Sequence, residues 1–171
     1  MLKDQEHSTA EEPVMASALT NPTYRAIYES LEEDLVVGEK IPDDLDLLFI
    51  RSKRGVTPAS FTLRGIDRTQ LGQVTAPGKS AHISFTDDTE VFCQTVMDQP
   101  PKPWYALVSV TSAELESAGF HTLYAPLPRA PLHVRVAHEA HLSNPDLPEV
   151  PEGARKALVD IFNPRLRAAQ S

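Results

Sequence analysis

Leu132-His-Val-Arg-Val-Ala-His-Glu-Ala-His-Leu142 is the stretch on which the fold turns. Leu132, Val134 and Val136 alternate with His133 and Arg135, the period of a strand that buries one face. The same stretch carries His133, His138 and His141 within nine residues. If it stays extended through residue 141, His133 and His141 share a face about 26 Å apart at roughly 3.3 Å per residue, with His138 on the other face. No two of them then share a metal. If instead the strand ends near Ala137 and the chain turns, His138 and His141 converge with Glu139 as a metal-type set. The spacing of His138-Glu-Ala-His141 is one residue short of the zinc-protease helix, whose two ligands stand four apart. His133 alone remains a candidate general base.

Outward from this strand, Pro126, Pro128 and Pro131 enforce an extended approach, and Phe120 to Tyr124 supplies another strand. Trp104-Tyr-Ala-Leu-Val-Ser-Val110 is almost wholly apolar, which predicts a strand covered on both faces with Trp104 as a core or edge anchor. Thr111 and Glu114 form a capping box opening a short helix closed by Gly119, and Asp87 with Glu90 opens another along Val91, Phe92, Thr95 and Val96. Leu47-Leu-Phe-Ile50, Ser60-Phe-Thr-Leu63 and His82-Ile-Ser-Phe85 read as short strands.

Asn21 and Pro22 open a first helix with Tyr24, Ile27, Tyr28, Leu31 and Leu35 on its apolar stripe, ending near Gly38. Tyr24 and Tyr28 read as packing residues, and Arg25 as the partner of Glu29 four residues on. A last helix carries Ala154, Ala157, Leu158, Ile161 and Phe162 and is expected to stop at Asn163-Pro164. The sum is one α+β domain over residues 21–164, a mixed or antiparallel sheet packed by three to four helices. A disordered acidic tail, 1–20, precedes it and a flexible tail, 165–171, follows.

With 171 residues, a single core suffices. Cys93 is the sole cysteine, which excludes an internal disulfide and reads as a small buried side chain. Charge is uneven. Residues 1–46 hold twelve acidic side chains against three basic ones, a net of -9, while the whole chain carries -8. Such a balance argues against a nucleic-acid partner, which requires a basic face. No stretch approaches the ~20 apolar residues of a membrane span, and the acidic start lacks a signal peptide, so a cytoplasmic protein without a membrane partner is expected. The acidic region points to a protein partner with a basic surface, or to the chain's own Arg51-Ser-Lys-Arg54.

No Gly-rich phosphate loop, G-x-S-x-G elbow or H-E-x-x-H motif is present, and no cofactor is expected. Ser60, beside Phe61 after Pro58, is a candidate nucleophile, but sequence places no base beside it.

Thr57-Pro-Ala-Ser-Phe61, the Trp104 to Glu114 run closing at Gly119, and Pro126, Pro128, Pro131 and His133 with Val134 and Val136 resemble, in order and spacing, a family of small uncharacterised bacterial proteins. That family has a Ser-x-Ala-Phe-like segment, a Trp-led strand running into a Glu-containing helix, and a proline-rich loop before a His-containing strand. The match spans about residues 57–137. Here the serine pair before the phenylalanine is reduced to Ser60, and Val134 replaces the usual Ala. The resemblance implies a bacterial cytoplasmic protein and singles out His133 over His138 and His141.

Two functional expectations follow. One is a non-enzymatic protein-interaction module, such as an immunity or accessory protein of a bacterial defence system, docking through its acidic region. The other is a small hydrolase-like or metal-dependent enzyme using His133, or His138, Glu139 and His141.

Overall fold

A computed structural model describes residues 18–61, 68–71, 74–144 and 146–170. Within them the chain builds helix α1 (Pro22–Leu31), strand β1 (Asp46–Ser52), the hairpin β2 (Arg68–Leu71) and β3 (Val74–Pro77), and strand β4 (Lys79–Ile83). Helix α2 (Thr89–Phe92) runs on into a π turn at Cys93–Met97. Strand β5 (Tyr105–Thr111), helix α3 (Ser112–Ser117), strands β6 (Phe120–Tyr124) and β7 (His133–His138), and helices α4 (Glu139–Ser143) and α5 (Glu152–Gln170) complete the domain. The fold is α+β. Five strands form one antiparallel sheet in the order β5-β1-β4-β7-β6.

The capping signals act as their chemistry dictates. Asn21 accepts the Tyr24 N–H and Pro22 fills the first helical position, while Arg25 pairs with Glu29 at 3.5 Å. Thr111 and Glu114 form the complete capping box. The Glu114 carboxylate also binds Arg165, tying α3 to α5. Burial pushes that carboxyl up, but the Thr111 N–H and the Arg165 guanidinium outweigh it and hold it below the ordinary range.

Register fixes two faces. Leu48, His82, His133 and Ser109 lie across from one another on the first, with Ile50 and Ser80. Leu47, Phe49, Ala81, Ile83, Val108, Val110, Val134 and Val136 share the second. Against that second face sit Leu115 of α3 and Leu158, Phe162 and Leu166 of α5, all buried. Phe162 meets Phe49 and Phe61 with ring centroids 4.9 and 5.2 Å apart, in the tilted arrangements that aromatic pairs prefer. The first face is covered differently, by Phe92, Val96 and Met97 from α2 and its π turn and by Tyr24 at the end of α1.

Several boundaries differ from the sequence expectations. Ala18 is fully buried in the core, so the ordered domain begins before Asn21; residues 1–17 lie outside the described part. The first helix stops at Leu31 and a 3-10 turn follows at Glu32–Asp34. Asp88, not Asp87, caps α2, because its carboxylate receives the Val91 N–H at 3.0 Å. Ser60 and Phe61 belong to a 3-10 turn, Pro58–Phe61, and not to a strand; residues 62 and 63 are outside the described part. Of the core or edge anchor expected at Trp104, the core role is excluded, since it is half exposed at the start of an edge strand, and that strand buries one face fully rather than both.

The largest difference is at the C-terminus. Pro164 does not end α5: the helix continues to Gln170, and Leu166 within it is fully buried, so residues 165–170 are not a loose tail. Pro164 removes the helical N–H that would reach the Asp160 carbonyl, and the residues beside it anchor the helix in other ways. Arg165 Nη1 donates to the Ile161 carbonyl at 2.7 Å. Asn163 holds the Val56 backbone at both ends, accepting its N–H at 2.8 Å and donating to its carbonyl at 3.0 Å. Apolar burial on both sides of the proline then favours continuation over a break. Asn163→Ala leaves the Val56 N–H and carbonyl without these partners; a loss of about 1–3 kcal/mol in unfolding free energy by urea denaturation is expected.

Candidate functional site

The strongest site lies on the first face of the sheet, where the register sets His82 directly across from His133. Leu48, Ile50 and Ser80 extend this floor, and Phe92, Val96, Met97 and Leu127 rise around it, enclosing about 350 Å³. That volume is within the range of small-molecule sites. One wall is the π turn Cys93–Met97, followed by Asp98 with φ 55°, the left-handed region that a non-glycine residue seldom adopts. The other is the proline loop through Leu127. Arg129 of that loop meets Asp98 at 3.1 Å, joining the two walls at the rim.

The two imidazoles have different roles. His82 lies between the Ile83 carbonyl, 2.9 Å from Nδ1, and the Tyr24 hydroxyl, 2.9 Å from Nε2. A carbonyl only accepts, so Nδ1 bears the proton and Nε2 receives the tyrosine O–H. The Tyr24 oxygen in turn accepts the Leu132 N–H at 2.9 Å. Burial pushes the His82 pKa down to about 3, against the opposing pull of the Ile83 carbonyl. Burial likewise raises the Tyr24 hydroxyl pKa, with the Leu132 N–H working the other way. His82 is thus neutral, with both nitrogens engaged.

His133 donates from Nδ1 to the Ala125 carbonyl at 2.8 Å. Its tautomer is therefore also fixed, and Nε2 is a bare acceptor with no hydrogen-bond partner among the described residues. Burial lowers its pKa, opposed by the Ala125 carbonyl and reinforced by nearby Arg135. No carboxylate or hydroxyl is hydrogen-bonded to it, so no catalytic triad forms around it among the described residues.

The remaining candidates are not brought to this pocket. Ser60 is exposed, its Oγ accepting the Thr57 N–H at 3.1 Å. Its turn packs with α5 through Phe61 and Phe162, against the opposite face of the sheet from His133. The strand containing His133 ends at His138, which caps α4 by accepting the Ala140 N–H at 3.0 Å on Nδ1. His138 faces away from His133, as the five-residue spacing requires. His141 is buried, with Nε2 donating to the Leu147 carbonyl at 2.9 Å. Glu139 turns toward His121 at 3.7 Å. His138, Glu139 and His141 therefore do not converge, and among the described residues no three His, Cys, Asp or Glu side chains are placed to hold a metal.

His82 was not singled out from sequence as a site residue. Its signal was weak: an alternating His-Ile-Ser-Phe run gives the face of each side chain but not which strand lies alongside.

Outside the pocket, all eight carboxylates from Glu29 to Asp46 are exposed, with Lys40 the only basic residue among them. Val36 and Val37, each 50% exposed, sit in their midst. The segment is pinned along the edge of β6: Gly38 and Ile41 donate to the Tyr124 and Thr122 carbonyls at 2.9 and 3.1 Å, and Glu39 accepts from Tyr124 at 2.9 Å. Lys40 pairs with Glu116, and a hydrogen bond to that same carboxylate raises the Asp43 pKa. Arg51 does not neutralise this surface. Its guanidinium lies over the rings of Phe49, Phe61 and Phe162, 5.5, 5.5 and 5.8 Å from their centroids, and burial lowers its pKa to about 10.

No family model, curated protein or solved structure matches the chain. No described helix is long and apolar enough to cross a membrane.

Tyr24→Phe removes both the donor to His82 and the acceptor for the Leu132 N–H; urea denaturation is expected to show a loss of about 2–4 kcal/mol. Acid should act on the same centre. Since the folded His82 pKa lies below the ordinary 6.5, the unfolded chain binds more protons between the two values, and stability falls as pH drops below about 6.5. The His82 contribution is about 1.4 kcal/mol per pH unit, so melting temperatures recorded from pH 7.5 to 5 should decline steadily below pH 6.5.

Proposed function

We propose that the protein is a non-enzymatic interaction module that docks a protein partner with a basic surface through the segment from Glu29 to Asp46. One observation carries this reading: the carboxylates are presented on a backbone anchored to the sheet edge, around two exposed valines, and the chain's own Arg51 is turned into an aromatic cluster. An anchored surface loses less conformational freedom on docking than a loose acidic tail would. The valines supply apolar contact, and the charges raise the association rate and select the partner's sign. An accessory or immunity-like role in a bacterial cell is consistent with such a module.

The full-length chain and a variant with Glu32→Gln, Glu33→Gln, Asp34→Asn and Asp44→Asn should differ in what they retain from native lysate at low salt. The expected partners are basic, are lost with the neutralised variant, and are released from the native chain as salt shortens electrostatic range. Retention of the same proteins by both chains, independent of salt, overturns the proposal.

A further inference from the structure

We propose that the pocket over His82 and His133 is a binding site for a small neutral hydroxyl compound with an apolar body, a medium-chain alcohol or a phenol, whose O–H donates to His133 Nε2. This site is separate from the acidic surface and is independent of the docking reading.

The chemistry of the floor selects the head group. His82 offers nothing, because Tyr24 occupies its Nε2 and the Ile83 carbonyl its Nδ1–H. His133 offers one lone pair, because Ala125 occupies its Nδ1–H. Of the two imidazoles only His133 can take a ligand's donor, and the Ser80 hydroxyl on the same floor can give or take a hydrogen bond, so a group that both donates and accepts matches the floor. A carboxylate brings only acceptors and would face that lone pair, while Arg51, which also lines the pocket, holds its guanidinium over Phe49, Phe61 and Phe162 of the aromatic cluster. An ammonium brings donors, but its charge would have to be desolvated among Leu48, Ile50, Phe92, Val96 and Met97, with no carboxylate inside to balance it. Asp98, the acid at the rim, is already paired with Arg129. A hydroxyl fits with the fewest unmet groups.

The walls select the body. Their apolar side chains come from segments with irregular backbone, the π turn and the proline loop, joined to each other at the rim by Arg129 and Asp98. Met97 is suited to moulding around ligands of differing shape. Irregular turns of this kind are found frequently at functional sites, and here the π turn, through Val96 and Met97, and the acceptor-bearing His133 line one cavity, with the left-handed Asp98 directly after the turn.

Isothermal titration of the full-length protein at pH 7.5 with 1-hexanol, hexanoate and hexylamine, three probes of matched chain length, tests this. Saturable binding of 1-hexanol is expected, with the two charged probes roughly tenfold weaker or worse. His133→Phe keeps the bulk of the ring and removes the acceptor, and should weaken 1-hexanol by roughly tenfold. Ser80→Trp, at an exposed position of the floor, should block the cavity without disturbing the core. Should His133→Phe fail to fold, side-chain nitrogen NMR of the native chain replaces it: 1-hexanol should shift His133 Nε2 and leave His82 unmoved. Absence of saturable 1-hexanol binding, equal binding of all three probes, indifference to Ser80→Trp, or an unshifted His133 nitrogen each overturns the proposal.

Discussion

The Tyr24 hydroxyl is the joint at which helix and sheet meet. It donates to His82 on β4 and accepts from the Leu132 N–H at the threshold of β7, so one oxygen sets α1 against two neighbouring strands. Each of the three groups is buried, and leaving any unpaired costs about 1–3 kcal/mol, which makes the arrangement close to all-or-none. The joint has chemical consequences for the neighbouring pocket. By consuming the His82 acceptor it leaves His133 Nε2 as the open imidazole acceptor of the floor, and by holding Leu132 it helps fix where β7 begins.

The two faces of the sheet divide the work. One is closed by Leu115, Leu158, Phe162 and Leu166 in continuous apolar contact, with Arg51 laid over three aromatic rings. The other is roofed by a π turn and a proline loop that leave a cavity. A face covered by short irregular segments packs less completely than one covered by a long helix, because each segment fixes few side-chain positions. The cavity lies where the covering elements are shortest. Stability and binding are thus assigned to opposite faces, and the acidic segment along β6 adds a third, outward surface while closing an otherwise open sheet edge.

Local chemistry was legible where the decisive partners are close in sequence. The Asn21-Pro22 start, the Thr111 and Glu114 capping box, the Arg25 to Glu29 pair, buried Cys93 and the strand at His133 all appear as read, but that strand is buried on both faces, not one, because the π turn and proline loop cover the side that carries His133. The separation of His133 from His138 was legible too, because a strand sends them to opposite faces whatever lies beside it, whereas that of His138 from His141 was not, since the strand ends at His138 and a helix follows. The expectation failed at Asn163-Pro164 for the complementary reason: a local break signal was overruled by Val56, more than a hundred residues away, and by the burial of Leu166.

What the sequence by itself determined is therefore the α+β class, most helix starts, the side-chain alternation along the His133 strand and the concentration of charge before Asp46, which depend on the residues themselves and on neighbours a few positions away. Only the tertiary structure decided that His82 stands across from His133, that Tyr24 occupies one imidazole and leaves the other an acceptor, and that Ser60 lies on the far side of the sheet. Those facts depend on strand order and register. Alternation fixes which face a side chain takes but carries no information about which strand will lie next to it.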